Sequence, residues 1–268
     1  MGDTDKLIEQ HQKDLERIEN FRLMDDDFMT RCFDGNVEAT ELVLNIVLKM
    51  KLTVQRVTTQ VHVKNLMGKS VILDILAFGE NGKCYNIEIQ RAEKGAAPKR
   101  ARYHSSMMDM NTLIAGDEYE KLPEHYVIFI TESDVLKLGK PLYRIERCIM
   151  ETEPPVLFDD EAHIVYVNGE IQDDTDLGQL MHDFHCINPN DMHYEVLAEK
   201  VRYYKQTEEG VAVMCKAMEE MRNEAVLEDR RRQALKMIKK GTLTHEQIAE
   251  CYELTLKEVK ELAKEKSA

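Results

Sequence analysis

The chain has 268 residues, with 36 Lys and Arg against 50 Asp and Glu and a formal net charge of −14. That length suits one sizeable domain plus an appendage, and the acidic balance excludes a large non-specific nucleic-acid surface, because phosphate binding draws on Lys and Arg. The six cysteines are scattered with no CxxC pair, and there is no signal peptide and no apolar run of bilayer length, which together predict a cytoplasmic protein with no disulfide framework and no membrane association.

Residues 1–20 read as a charged leader, helix-compatible but poor in apolar anchors. An acidic cluster follows at Asp25, Asp26 and Asp27, then a turn at Asp34-Gly35 and a helix with Val37, Leu42, Val43, Ile46 and Val47 at helical spacing. Glu38 and Glu41 near its start suit the helix dipole, and Glu41 is the better candidate for a third acid at a metal site. From Gln55 to Lys64 the pattern alternates, with Val57, Thr59, Val61 and Val63 on one face, as expected of a first strand.

The stretch Ser70 to Arg91, SVILDILAFGENGKCYNIEIQR, reads as a buried hairpin carrying Asp74, Glu88 and Gln90. Buried carboxylates in a sheet need a cation, a hydrogen-bond network or a site to offset their desolvation. Register decides whether these two can cooperate, since side chains alternate faces. A two-residue Asn81-Gly82 turn would pair Asp74 with Ile89 and separate the acids. A three-residue loop, Glu80-Asn81-Gly82 with Gly82 left-handed, pairs Gly79 with Lys83 and Asp74 with Glu88. Gln90 then shares the face of Glu88, and the hard oxygen donors suit Mg²⁺ or Mn²⁺.

Lys94, Lys99, Arg100 and Arg102 precede a helix reaching about Ile114, and between Lys69 and Arg102 seven basic residues outnumber four acidic ones. This local excess predicts phosphate contact, with Arg100 suited to a bidentate grip. Tyr126 to Thr131, YVIFIT, suits a strand buried on both faces, so the core reads as a helix, a three-strand antiparallel meander, a helix and a strand. Residues 143–149 and 163–167 read as further strands extending the sheet. His182, His185, Cys186 and His193 fit no closed tetrahedral zinc set by spacing. The chain is helical from Asn190, with six basic residues and no acid between Arg230 and Lys240, and ends in two short helices over 243–264. Those two are compatible with DNA reading, packing or dimerisation.

An acid on a second strand, E-x-Q on a third and a following helix with KRARYH resemble the PD-(D/E)XK nuclease superfamily, and more narrowly the Rpn family of recombination-promoting nucleases, also called PD-(D/E)XK family transposases. The residues carrying the likeness are DDDFMTRCF, LDILAFGENGKCYNIEIQ, KRARYH and GDEYEKLPEHYVIFIT, over roughly Leu23 to Asp134. The resemblance implies an α/β restriction-endonuclease-like domain at 21–186 and a helical tail at 187–268. It implies a metal-dependent DNA endonuclease linked to recombination or mobile elements, with Asp74, Glu88 and Gln90 catalytic. The ion would be held by Asp74, Glu88 and the backbone carbonyl of Ile89, with Glu41 as a further candidate, and nucleic acid would be held by Lys99, Arg100, Arg102 and Tyr103. Gln90 stands where the superfamily usually has Lys, and an amide orients water but supplies no positive charge. A non-catalytic DNA-binding protein oligomerising through its tail, and a metal-dependent RNase, are the alternative readings.

Overall fold

A computed structural model describes residues 3–65, 68–80 and 82–265. The chain divides into two compact units, Glu19–Gln206 and Met1–Ile18 with Thr207–Ala268. Helix α1 (Asp3–Asn20) opens the chain.

The larger unit begins with α2 (Asp26–Phe33) and α3 (Val37–Leu48). Asn36 caps α3 by accepting the amide of Ala39 at 3.2 Å. Strands β1 (Val54–Val63), β2 (Val71–Gly79) and β3 (Cys84–Gln90) form an antiparallel meander. Helix α4 (Pro98–Met110) starts with proline at its first position, where no amide hydrogen is needed, and leads to β4 (His125–Thr131). Then come β5 (Leu142–Ile145), β6 (Cys148–Ile149), β7 (Val156–Leu157), β8 (Ala162–Asn168), α5 (Asp176–His185) and α6 (Glu195–Gln206).

The main sheet has the order β1-β2-β3-β4-β8-β5, parallel at β3-β4 and β4-β8 and antiparallel elsewhere. Every residue of β4 is buried, as its continuous apolar run predicts for a central strand. One face of the sheet carries Ile75, Ile87 and Ile128, none of them exposed, and the other carries Glu88 and Phe129 beneath α4. The mixed α/β architecture is consistent with a PD-(D/E)XK nuclease-like fold. The segment 143–149 is not one strand: β6 leaves the sheet and pairs with β7.

The domain boundaries differ from those expected. The leader is not separate, because Asp14 in α1 is buried and pairs with Arg222 of α7 (Glu208–Lys240) at 2.7 Å. Nor does the tail begin at 187. Helix α6 buries Leu197, Ala198 and Val201, and Tyr204 meets Phe28 of α2 edge to face. In the smaller unit α8 (His245–Cys251) and α9 (Leu256–Glu265) close over α7 through Ala234, Ile248, Leu254 and Val259. The turn between them uses Glu253 at φ 51°, and the amide of Leu254 returns to the carbonyl of Ala249 at 3.0 Å. Arg230 and Arg231, two of the six cations of the basic block, pair with Glu253 and Glu258. No helix among the described residues is long and apolar enough to cross a membrane.

Candidate active site

The hairpin turn sets the geometry. Gly82 is left-handed (φ 78°) and returns its amide to the carbonyl of Gly79, whose own amide reaches the carbonyl of Lys83. Asn81 of the expected loop lies outside the described residues. The register runs from Phe78↔Cys84 to Ile75↔Ile87, and one further step sets Asp74 opposite Glu88. The acids meet as that register requires: Glu88 Oε1 lies 3.3 Å from the amide of Asp74, and the amide of Ile89 donates to Asp74 Oδ2 at 3.0 Å.

Glu88 is fully buried but well served by donors. Oε1 accepts from Asn86 Nδ2 at 3.0 Å and lies 3.2 Å from His104 Nδ1, while Oε2 receives Arg100 at 3.2 Å. Arg100 Nε also points at His104 Nε2, 3.2 Å away. A guanidinium only donates, so His104 Nε2 accepts and its proton sits on Nδ1, directed at Glu88. Arg100 and His104 reach one carboxylate together because they are four residues apart on α4.

Asp74 has less support. Burial first, and then the charge of Glu88, push its carboxyl up to about 8 from an ordinary 3.8. The third acid nearby is Asp26, whose carboxyl is also raised, chiefly by burial, then by Asp27 and by Glu88. It is held by Gln60, the β1 residue across from Asp74, whose left-handed backbone (φ 50°) interrupts the ladder and whose amide donates to Asp26 Oδ1 at 3.1 Å. Glu41 does not join this group. Its Oε2 accepts the amide of Val54, at the end of β1 paired with Gly79 and remote from Asp74.

Gln90 lies where parity puts it. Its Oε1 is 3.4 Å from Arg100 Nη1, and a Cβ at Gly95 would approach it to 1.9 Å, so the bare glycine makes room for the amide. The cleft above these groups measures about 940 Å³ and is lined by Asp26, Gln60, Asp74, Gln90 and His104 together with Lys69, Lys94, Lys99, Arg100 and Arg102. Lys99 and Arg102 are exposed on its rim, while the hydroxyl of Tyr103 donates to the carbonyl of Lys69. Further along α4, Ser105 Oγ meets His125 Nε2 at 2.7 Å and His125 Nδ1 meets Asp109 at 3.2 Å. Ser105 is buried, and this row acts as a clamp that fixes α4 to β4 and with it Arg100 and His104.

The model of the PD-(D/E)XK nuclease family transposases matches residues 34–176, more than half of the chain. This chain belongs to that family. No curated protein and no solved structure matches it. Within the family match lie Asp74, Glu88, Gln90, Arg100 and His104, whereas Asp26 falls just before it. Nucleases of the PD-(D/E)XK kind generally use divalent metals, and the donor set here fits one. The carboxylates are hard oxygen ligands, Asp74 lacks a compensating charge of its own, and the buried Asn86 Oδ1 has no partner among the described residues.

Asp26, Gln60, Asn86 and His104 were not singled out by sequence reasoning. Two had a local signal: Asn86 shares the parity of Glu88 and Gln90, and His104 shares a helical face with Arg100. Asp26 was visible only as one of three adjacent acids.

Proposed function

We propose that this member of the PD-(D/E)XK nuclease family transposases is a Mg²⁺- or Mn²⁺-dependent endonuclease that hydrolyses phosphodiester bonds in DNA during recombination or transposition. The observation that carries the reading is Asp74, set against the fully buried Glu88 and lining a basic-rimmed cleft, with its carboxyl pushed far above the ordinary carboxylate range. Asp74, Glu88 and the carbonyl of Ile89 would hold the ion, which would supply Lewis acidity at the scissile phosphate.

The remaining work falls to side chains of this chain. Arg100 neutralises Glu88 in the structure, and with an ion held at the acids its guanidinium would be available to grip phosphate in a bidentate way. It thereby supplies the positive charge that Gln90 cannot. Gln90 Oε1 orients water as an acceptor, and Gly95 keeps its amide free to do so. Lys69, Lys94, Lys99 and Arg102 hold flanking phosphates along the cleft.

Purified protein incubated with supercoiled plasmid and Mn²⁺ or Mg²⁺ should nick or linearise it, and EDTA should abolish the reaction. Absence of cleavage by the wild type with either ion, or equal cleavage by wild type and Asp74→Ala, would leave a DNA-binding protein on a nuclease fold instead.

A further inference from the structure

The second group of metal-type ligands lies at the junction of α5 and α6. The loop after α5 folds back so that His193 returns to the helix end, where Asp183 receives the amides of His193 and Tyr194, each at 2.8 Å. Asp183 is fully buried, His182 is half-buried and His193 is exposed. The two imidazoles meet edge to face with centroids 4.8 Å apart, and one ligand atom from each of His182, Asp183 and His193 lies within 4.8 Å of the others.

We infer that His182, Asp183 and His193 form a binding site for a divalent transition-metal ion, with Zn²⁺ the ion that fits best, tying the end of α5 to the start of α6. In tetrahedral zinc, bonds of about 2.0–2.1 Å put neighbouring ligand atoms about 3.3–3.4 Å apart. His182 Nδ1 and Asp183 Oδ1 already stand 3.3 Å apart, and the ligand atom of His193 lies within 4.8 Å of the other two, a gap that rotation of its exposed ring would close. Two imidazoles and one carboxylate select a borderline ion such as Zn²⁺ over Mg²⁺, and water completes the coordination. His185 and Cys186, which with the two histidines fit no closed zinc set by spacing, do not join the cluster: the ligand atoms that gather among the described residues are those of His182, Asp183 and His193. Asp183, absent from that spacing argument, takes their place, and its two backbone bonds fix its orientation.

The site shares no residue with the acid cleft and lies beyond the family match, so its occupancy is independent of the proposed nuclease chemistry. Its structural effect passes through α6, whose Tyr204 packs on Phe28 two residues from Asp26.

Titration calorimetry and thermal melting of the full chain with Zn²⁺ test the site, using the wild type, His182→Gln, His193→Gln and Asp74→Asn. The wild type should bind an ion at this site that raises its melting temperature. Each histidine variant should bind that ion about tenfold or more weakly, and Asp74→Asn, which removes a ligand of the separate cleft, should retain it. The Co²⁺ complex of the wild type should show visible ligand-field bands without thiolate-to-cobalt charge transfer. Absence of Zn²⁺ binding by the wild type, unchanged affinity in both histidine variants, or a thiolate signature in the Co²⁺ spectrum would overturn the assignment.

Discussion

Replacing Asp74 with Asn tests the central claim about the cleft, because it removes a charge while keeping the shape of the side chain and an acceptor for the Ile89 amide. The wild-type carboxyl titrates at about 8 in the folded protein against 3.8 ordinarily. Roughly four units at about 1.4 kcal/mol each set a ceiling of about 6 kcal/mol. Repulsion shared with Glu88 and local relaxation bring the expected gain for metal-free Asp74→Asn to about 2–4 kcal/mol at pH 8. The sign follows from linkage: a carboxyl with a raised folded pKa favours folding below its unfolded pKa and loses that contribution as pH rises to the folded value. The variant should therefore match the wild type near pH 4 and exceed it increasingly up to pH 8, as read by urea denaturation in EDTA. With Mn²⁺ at about 100 times its dissociation constant the wild type alone should gain about 2.7 kcal/mol. A gap that does not change with pH, or equal Mn²⁺ stabilisation of both proteins, would refute the reasoning.

Arg100→Ala should lower cleavage by about a hundredfold or more, and Arg100→Lys should restore part of it, measured as initial nicking rates on plasmid. Asp26→Asn should reduce cleavage, whereas Glu41→Gln should leave the rate intact and lower stability by about 1 kcal/mol through a weaker bond to the Val54 amide, which urea titration would show. Gly95→Ala should displace the Gln90 amide and slow cleavage without unfolding the protein, as circular dichroism and nicking assays would report together. Ile248→Ala should cost the helical unit about 2–4 kcal/mol while cleavage of short duplexes persists; loss of that cleavage in a folded variant would make the unit part of the catalytic apparatus.

Patterning along the sequence was enough for the meander and the buried β4, and it narrowed the hairpin to two registers, of which the three-residue loop opposes Asp74 to Glu88. These depend on period-two patterning and on a glycine that reaches positive φ, properties set by neighbours in the chain. It also placed Gln90 and Arg100 on the faces from which they meet, since strand parity and helical spacing are local rules. The tertiary structure alone decided which third acid joins the pair. Glu41 and Asp26 both sit near helix starts, but Glu41 is drawn to an unpaired amide at Val54 while Gln60, turned by its left-handed backbone, holds Asp26. It alone assembled the ligands at the junction of α5 and α6, where Asp183 recruits the backbone of His193 from ten residues away. It also decided the division of the chain, because α1 joins α7 through a pairing of residues 208 positions apart, a distance at which no sequence periodicity carries information.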